Sequence, residues 1–310
     1  MSIADNIFIQ NCKDIIENGY NTCNEPTRAK WDDGTPAPTI KLFGVVNKYD
    51  LSKEFPIMTL RNINWKAALD EILWIWQKKS NNIKDLNSRI WDSWADEEGS
   101  IGKAYGYQLG TTFIHHTGDY RHFDNVIYKK FPSGYYTHNI RYGHDESNCI
   151  NIHLDQVDAV LYDLKYNPSS RRIMTNIYNF QDLHEMNLYP CAYSMTFNVA
   201  GNKLNAILNQ RSQDTLTANN WNVVQYALLL HMFAQVSGYE VGTLVHVIAD
   251  MHIYDRHIKQ VQELISREPL PAPVLKINPD VKNFYDFKVE DFELINYQNH
   301  GGVGKIPVAI

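Results

Sequence analysis

The 310-residue sequence predicts a protein that mixes helices with strands, in an α/β or α+β arrangement. Two observations predict this class: several segments repeat apolar residues at helical spacing, and others alternate apolar with polar residues. Hydrophobic residues make up 44% of the chain, enough for a sizeable core, and no run approaches the 18 apolar residues of a membrane span. Because no internal repeat and no flexible linker stand out, we expect one domain.

Five segments have the apolar spacing of helices. The first, 3–19, places Phe8, Cys12, Ile15 and Ile16 on one face, and the most apolar is 221–236. The helix at 156–166 ends before Asn167-Pro168, which cannot continue it. The five predicted helices cover residues 3–19, 65–77, 156–166, 221–236 and 252–267.

Glu71 lies at the edge of the apolar stripe of the helix predicted at 65–77. One interpretation is a glutamate that points at water. The other is a carboxyl group half buried by Leu73 and Trp74, whose pKa burial would raise into a range suited to proton handling. The sequence alone leaves both interpretations open.

Strand patterns occur at 39–43 and on both sides of a turn at 200–203. Residues 197–199 and 204–208 alternate apolar with polar, which predicts a β-hairpin. The hairpin would return the chain to its start and bring Cys191 beside Arg211. Nearby positive charge lowers the pKa of a thiol and makes it a nucleophile. Taken singly, a cysteine is more often a buried apolar residue and an arginine a solvated surface group.

Charge and cysteine usage narrow the functional classes. The net charge is −6 and no long basic run occurs, so we expect no nucleic-acid partner. We also expect no membrane segment and no secretory signal. The four cysteines lack CxxC spacing and fit free thiols in a reducing cytosol, which predicts a cytoplasmic protein. An acidic protein that binds a phosphorylated small molecule must gather its arginines locally; the candidates are Arg28, Arg171, Arg172 and Arg211.

Residues 110–153 differ from the rest of the chain. They are rich in Tyr, His, Asn, Gly and Asp and show no sustained period, which predicts a long loop or an irregular insertion. No pair of their histidines has the spacing of a known zinc motif, so we predict no metal site.

Ten short motifs occur in one order along the chain, and together they resemble the thymidylate synthase family, in its folate-dependent, cysteine-using form. The similarity covers nearly the whole chain except 110–153, and Leu-Trp-Ile-Trp-Gln and Asn-Pro-Ser-Ser-Arg-Arg resemble the subgroup of Bacillus and its phages. The motifs are Pro-Thr-Arg28, Glu71-Ile-Leu-Trp-Ile-Trp, Ile90-Trp91-Asp-Ser-Trp94, Ala-Tyr105-Gly-Tyr-Gln, Ser-Ser-Arg171-Arg172, Pro190-Cys191, Gln210-Arg211-Ser212-Gln-Asp214, Trp-Asn222-Val, His252-Ile-Tyr254 and the terminal Pro-Val-Ala-Ile310.

The resemblance implies an α+β fold in which a large mixed, twisted sheet is layered with helices. It also implies a homodimer that packs the two sheets face to face. The implied reaction is the reductive methylation of deoxyuridine monophosphate (dUMP) to thymidine monophosphate (dTMP). In it 5,10-methylenetetrahydrofolate is the co-substrate that gives both the carbon and the hydride.

The resemblance also implies roles on the nucleotide side of the site. Cys191 matches the nucleophile that adds to C6 of uracil, and Arg211 matches the arginine that touches both the cysteine and the phosphate. Asn222 matches the asparagine that pairs with N3–H and O4 of uracil, where an aspartate would favour cytosine. Glu71 matches the glutamate that shuttles protons to O4, and Tyr105 the tyrosine implicated in removal of the C5 proton. The remaining substrate-binding matches are Arg28, Gln210, Ser212 and Asp214 for the same subunit, His252 and Tyr254 for the ribose hydroxyl, and Arg171 and Arg172 donated by the other subunit.

On the folate side, Asp214 matches the residue that holds the pterin. Arg61 falls where the family has a basic residue that reaches the glutamate tail, and the Ile310 carboxylate would close over the bound ligands and exclude water. The matched wall residues are Ile90, Trp91, Trp94 and Trp221, although core packing is the more frequent use of tryptophan.

The chain departs from the family pattern at several positions. Ala192 replaces the histidine that usually follows the nucleophile, and Thr196 replaces a glutamine. The usual Leu-Gly-x-Pro-Phe-Asn is here Thr217-Ala218-Asn-Asn-Trp221-Asn222. These changes bear on folate geometry more than on nucleotide binding.

Two other functions compete with methyl transfer. A dUMP hydroxymethylase uses the same cysteine and folate but lets water capture the methylene group. A regulatory or RNA-binding relative would have lost the chemistry. The retained Trp91 and Trp94 and the Pro-Val-Ala-Ile310 end favour methylation over the first, and the intact Cys191, Glu71, Arg211 and Asn222 argue against the second.

Overall fold

The computed structural model describes residues 2–116, 135–136 and 151–309, with the backbone alone at 114–116, 135–136 and 151–152. The α-helices of this part are α1 (Ile3–Asn18), α2 (Trp65–Trp76), α3 (Gly106–Gly110), α4 (Gln156–Tyr166), α5 (Asn219–Ser237) and α6 (Ile258–Ile265). Its strands are β1 (Tyr20–Asn21), β2 (Thr39–Asp50), β3 (Phe113–His116), β4 (Tyr135–Tyr136), β5 (Asn151–Leu154), β6 (Met174–Asn176), β7 (Ala192–Ala200), β8 (Lys203–Gln210), β9 (Gln213–Asp214), β10 (Glu240–Tyr254), β11 (Val274–Ile277) and β12 (Phe292–Ile295).

The chain forms two compact units. Unit 1 holds residues 1–72, 191–193 and 203–310, and unit 2 holds residues 73–190 and 194–202.

The sheet of unit 1 mixes both strand directions. Its order is β1-β2-β10-β8, with β9 also paired to β10. Strand β10 is antiparallel to β2 but parallel to β8 and β9. Helix α1 packs on β2 and β10, and α5 packs on β10 and β8. The predicted combination of helices with a mixed sheet is therefore confirmed.

Alternation along β10 explains why the helices cover one face of this sheet. Leu244, His246 and Ile248 are fully buried, whereas their neighbours Val245 and Val247 are half-buried. Successive strand residues point to opposite faces, so the first set lies in the core. The second set lies on the other face.

That other face carries an apolar strip beside Lys48 and Asn209, which pair with Val245 and Val247. Val46 pairs with Val247, and Ile207 pairs with Val245. Val46 is 53% exposed and Ile207 is 40% exposed. We call these four apolar residues the outer face of the sheet.

The predicted helix at 252–267 is wrong in its first part. His252, Ile253 and Tyr254 continue β10 and pair with residues of β2. The run Met251-His252-Ile253-Tyr254 carries the apolar and aromatic residues that suit a strand between two neighbours. Helix α6 begins only after a 3₁₀ turn at Asp255–His257.

Other predicted elements are confirmed. Helices α1, α2, α4 and α5 match their predicted segments within a few residues. Strands β7 and β8 flank the predicted turn, where Gly201 has a φ of 62°, a backbone angle that favours glycine. The strand predicted at 39–43 runs on to Asp50.

Unit 2 combines an antiparallel pair with two helices. Thr175 of β6 pairs with Met195 of β7, and β6 packs against α4. Asp155 caps α4, since its side chain accepts a hydrogen bond from the backbone nitrogen of Asp158 at 2.9 Å. Lys79 binds the same carboxylate.

Most of the stretch 110–153, predicted to be irregular, lies outside the described residues. Its described parts include β3, β4 and β5, which form a small antiparallel sheet in the order β3-β5-β4. In the described ranges, no helix has the length and apolar character needed to cross a membrane.

Candidate active site

Cys191 and Arg211 are neighbours, as the hairpin predicts. The backbone nitrogen of Arg211 donates to the carbonyl of Cys191 at 2.9 Å. The guanidinium nitrogen Nη2 of Arg211 lies 3.7 Å from the sulfur of Cys191. The thiol is half-buried. The two ends of the predicted hairpin thus place a permanent cation beside a candidate nucleophile.

Two opposing effects act on this thiol. Burial raises the pKa of Cys191, and the positive charges of Arg211 and Arg28 lower it. Burial is the larger effect, so the pKa stays above its ordinary value. The expectation that Arg211 favours the thiolate is therefore right in sign, but in this state the charge does not overcome desolvation.

A cavity of about 390 Å³ lies in unit 1, and Arg211 is one of the residues that line it. It combines two guanidinium groups with hydroxyl groups, an arrangement that suits a phosphate. Five of the predicted substrate-binding residues line it: Arg28, Arg211, Ser212, His252 and Tyr254.

His252 contacts Asp250, which in turn forms a salt bridge with Lys41. Its Nδ1 lies 2.7 Å from Oδ1 of Asp250, and Oδ2 of Asp250 lies 3.3 Å from Nζ of Lys41. All three residues line the cavity. Burial alone would raise the pKa of Asp250, but the hydrogen bond with His252 and the charge of Lys41 outweigh it and lower the pKa. An ionised Asp250 accepts a hydrogen bond from Nδ1–H of His252, and in that imidazole tautomer Nε2 is a hydrogen-bond acceptor.

Tyr254 packs edge-on against His252, with 5.1 Å between the ring centroids. Burial raises the pKa of Tyr254 to about 12. The phenol therefore stays neutral at ordinary pH and keeps its hydrogen as a donor.

Asn222 sits between two glutamine amides. Nε2 of Gln210 donates to Oδ1 of Asn222 at 3.2 Å, and Nδ2 of Asn222 donates to Oε1 of Gln225 at 3.1 Å. Gln210 is fixed in turn, because its Nε2 also donates to the carbonyl of Ser212 at 3.0 Å. The contacts fix which end of the Asn222 amide donates and which accepts.

Glu71 is buried, with 6% of its surface exposed, so the interpretation of a water-facing glutamate is wrong. Its carboxylate oxygen Oε2 accepts from Nε1 of Trp221 at 2.6 Å and from Nε2 of Gln225 at 2.8 Å. Both donors come from α5. The carboxylate is thereby linked through Gln225 to Asn222.

Two of the predicted folate residues of unit 1, Asp214 and Arg61, contribute hydrogen bonds to one turn. Asp214 accepts from the backbone nitrogens of Leu216 at 3.0 Å and Thr217 at 3.3 Å, and from the Thr217 hydroxyl. Burial alone would raise the pKa of Asp214, but contacts with His257 and Thr217 outweigh it and lower the pKa. Nη2 of Arg61 donates to the carbonyl of Leu216 at 2.8 Å, so Arg61 braces the same turn.

Unit 2 carries Trp91 and Trp94, two of the three tryptophans predicted to wall the folate. Trp91 is buried and packs edge-on against Trp94, at 5.7 Å between centroids, and Tyr105, at 5.0 Å. Tyr105 has a φ of 45°, which a residue with a side chain rarely adopts. Ile90 is 38% exposed. The structure therefore gathers two predicted wall residues and the predicted catalytic Tyr105 into one cluster.

Arg171 and Arg172 are both exposed in unit 2. Ile310 lies outside the described residues. Among the residues that the structure describes, no group of three His, Cys, Asp or Glu side chains converges as metal ligands.

Three residues near the site were not predicted from the sequence. Asp250 lies two positions before His252 on one strand, and Gln225 lies three positions after Asn222 on one helix. Both spacings place side chains on a shared face, so either residue was within reach of sequence reasoning. His246 gave no local signal, because only the fold brings its Nε2 within 2.7 Å of Oε1 of Gln210.

Comparisons with known proteins agree with this geometry. The family model described as thymidylate synthase matches residues 6–310. The chain is 41% identical over 302 residues to the thymidylate synthase of Bacillus subtilis subsp. natto, covering 96% of each chain. It is 40% identical over 315 residues to the Bacillus licheniformis enzyme, covering both chains fully. The solved structure of thermostable thymidylate synthase A from Bacillus subtilis matches with a TM-score of 0.82 and 40% identity, over 99% of each chain. With this similarity over its whole length, the chain belongs to the thymidylate synthase family.

Proposed function

We propose that the residues around Cys191 carry out the reaction of this family, on one domain that spans residues 1–310 with an insertion at about 110–153. The chain is a methyltransferase that converts dUMP to dTMP. The co-substrate 5,10-methylenetetrahydrofolate supplies the carbon and the hydride and leaves as dihydrofolate. The observation that carries the assignment is the sulfur of Cys191 at 3.7 Å from Nη2 of Arg211, a residue that lines the cavity together with Arg28 and Ser212.

Cys191 opens the reaction by adding its sulfur to C6 of the uracil ring, which turns O4 into an enolate and makes C5 nucleophilic. C5 then bonds to the one-carbon unit and loses its proton. The bond between the transferred carbon and the folate nitrogen then breaks. Hydride transfer from the folate reduces that carbon to a methyl group, and the Cys191 sulfur leaves C6, which restores the ring. Arg211 and Arg28 counter the burial of the thiol and bind the phosphate, so the nucleotide docks where the sulfur can reach it.

Asn222 reads the base. Its Oδ1 accepts from N3–H of uracil and its Nδ2 donates to O4, in the orientation that Gln210 and Gln225 support. Glu71 handles the proton at O4, and Tyr105 takes part in removal of the C5 proton. His252 and Tyr254 bind the ribose hydroxyl, with Nε2 of His252 as the acceptor that Asp250 selects.

The folate assignments rest on the family resemblance. Trp91, Trp94, Ile90 and Trp221 would wall the pterin, and closure by Ile310 would exclude water. Asp214 would hold the pterin and Arg61 would reach the glutamate tail of the folate, from the turn at 214–218 that both residues support by hydrogen bonds. No metal takes part in this proposal.

The dimer is also part of the proposal. The outer face of the sheet presents a row of apolar side chains, with Val46 and Ile207 more than a third exposed in the single chain. A second copy packed on this face would bury them. Arg171 and Arg172, both exposed, would then reach the phosphate of the partner's site. We place the enzyme in the cytoplasm, where its free cysteines stay reduced.

Mass spectrometry of the protein incubated with 5-fluoro-dUMP and the folate tests the assignment. Fluorine at C5 cannot leave as a proton does, so the reaction stops with Cys191 bound to C6. We expect one covalent ternary adduct on the peptide that contains Cys191, and no adduct with Cys191→Ser. An adduct on another cysteine would refute the proposed nucleophile.

A second measurement separates methylation from hydroxymethylation. Reaction of the protein with dUMP and the folate should yield dTMP and dihydrofolate. Formation of hydroxymethyl-dUMP with tetrahydrofolate would instead show that water reaches the methylene group.

A further inference from the structure

Two hydrogen-bond donors converge on one oxygen of Glu71. Nε1 of Trp221 and Nε2 of Gln225 both lie within 2.8 Å of Oε2. An indole nitrogen can only donate. Gln225 is also oriented as a donor, because its Nε2 faces the carbonyl oxygen of Ala68 at 3.4 Å in addition to the carboxylate. Oε2 is therefore an acceptor in both contacts.

This arrangement restricts where Glu71 can hold a proton. A hydrogen on Oε2 would meet the two donor hydrogens of Trp221 and Gln225. A proton that Glu71 takes up or releases therefore resides on Oε1. Because Glu71 is buried, the two N–H groups also take the place of water as hydrogen-bond donors to Oε2.

Gln225 connects this carboxylate to Asn222. With Nε2 turned to Glu71, its Oε1 accepts from Nδ2 of Asn222 at 3.1 Å. One side chain thus contacts both the proton-handling group and the amide that reads the base.

Trp221 supplies a contact that the usual family pattern lacks. The chain has tryptophan where Leu-Gly-x-Pro-Phe-Asn has phenylalanine, and a phenyl ring carries no N–H. The indole therefore brings a donor to Glu71 as well as an aromatic surface.

We propose that Trp221 and Gln225 are positioning residues that keep Oε2 of Glu71 unprotonated and direct proton exchange to Oε1. The inference rests on the proposed role of Glu71 in proton handling. Trp221 acts on Glu71 alone, whereas Gln225 acts on Glu71 and on Asn222 together. The two residues should therefore differ in their effects on turnover and on nucleotide binding.

Trp221→Phe removes the N–H and keeps an aromatic ring in place. We expect kcat to fall roughly tenfold or more, the size typical for loss of a hydrogen bond to a charged group, while the Kd for dUMP changes by less than about threefold. Gln225→Met removes both amide contacts at similar length. It should lower kcat and also weaken dUMP binding several-fold, because Asn222 loses its acceptor.

A double-mutant cycle shows whether Trp221 works through Glu71. In a Glu71→Ala background, Trp221→Phe should cost little further in the single-turnover rate, because the acceptor is already absent. Wild-type turnover in Trp221→Phe, or losses that multiply in the double variant, would overturn the proposal. If Trp221→Phe does not fold, as judged by circular dichroism, Gln225→Met tests the proposal instead. A fall in kcat together with weaker dUMP binding in Gln225→Met would support it, and wild-type values of both would overturn it.

Failure of the proposed function would look different. In that case the wild-type protein itself would form neither dTMP nor the 5-fluoro-dUMP adduct. The inference alone fails if the wild type turns over and the variants match it.

Discussion

Burial of His246 predicts that the protein loses stability in mild acid. The residue is fully buried in β10, its Nε2 contacts Gln210, and its Nδ1 is buried without a hydrogen-bond partner. Burial lowers the pKa of His246 from 6.5 to about 3. As the pH falls through 6.5, His246 is therefore protonated in the unfolded chain but stays unprotonated in the folded chain. A depressed folded pKa means stability that is present above pH 6.5 and is lost as pH falls toward 3.

The size of this loss follows from the two pKa values. At pH 5 the unfolded state gains about 2 kcal/mol from protonating this histidine, relative to pH 7.5. That is a sizeable part of a folding free energy of roughly 5–15 kcal/mol. His231, whose Nε2 is enclosed and whose pKa burial lowers to about 4, acts in the same direction. Because His231 is only half-buried as a residue, we assign it the smaller effect.

Urea denaturation followed by circular dichroism at pH 7.5, 6.5, 5.5 and 5.0, at one protein concentration, measures the effect. His246→Gln keeps an N–H for Gln210 but cannot titrate. We expect the variant to lose about 2 kcal/mol less than the wild type between pH 7.5 and 5. The exposed His184, with 74% of its side chain in solvent, gives the control variant His184→Gln, which should follow the wild type.

An equal pH dependence in His246→Gln and the wild type would refute the reasoning. Titration of His257 does not change the difference in stability between the wild type and His246→Gln. Burial alone would lower the pKa of His257, but contact with Asp214 outweighs it and raises the pKa. The stability that His257 contributes is therefore present below pH 6.5 and is lost as the pH rises through the pKa of His257 in the folded protein. This contribution is the same in the wild type and in His246→Gln.

Three further predictions concern the site and the proposed dimer. Arg211→Gln should raise the pKa of the Cys191 thiol and slow its alkylation by iodoacetamide at pH 8, measured by mass spectrometry of the peptide; an unchanged rate would contradict the electrostatic role. Asp250→Ala should weaken dUMP binding about tenfold but leave binding of its 2′,3′-dideoxy analogue nearly unchanged, because His252 loses only its preference for the ribose hydroxyl; equal losses for both ligands would argue against it. Val46→Lys should shift sedimentation from dimer to monomer at micromolar concentration and abolish turnover, since a charge would face the partner's sheet; an active dimer would contradict the proposed interface.

Sequence patterns sufficed where local spacing determines the structure. The helices at 3–19 and 156–166 follow from their apolar period, and the Cys191–Arg211 contact follows from the alternation on both sides of a glycine turn. The end of β10 was misassigned, because His252 to Tyr254 owe their conformation to pairing with β2, which lies some 200 residues earlier in the chain. No window of sequence contains that partner.

In the candidate site, too, some features were predictable from local sequence and others depend on contacts between distant segments. The hairpin pattern nominated Cys191 and Arg211, and the resemblance to the family motifs nominated Asn222. The hydrogen bonds that define how they work were not predictable, because they join separate elements. The burial of Glu71 is an example: its two donors come from a helix about 150 residues further along the chain.

The charges around Cys191 suggest why the nucleotide site should depend on a second subunit. Arg28 and Arg211 lower the pKa of the thiol, yet burial still dominates. A phosphate dianion bound to the same two arginines offsets the positive charge that the sulfur experiences, and this makes the thiolate harder to form. Two further guanidinium groups on the phosphate would restore the balance without crowding the sulfur. Arg171 and Arg172, exposed on their own chain and proposed to reach across the dimer, would serve both to hold the phosphate and to leave Arg211 free to act on Cys191.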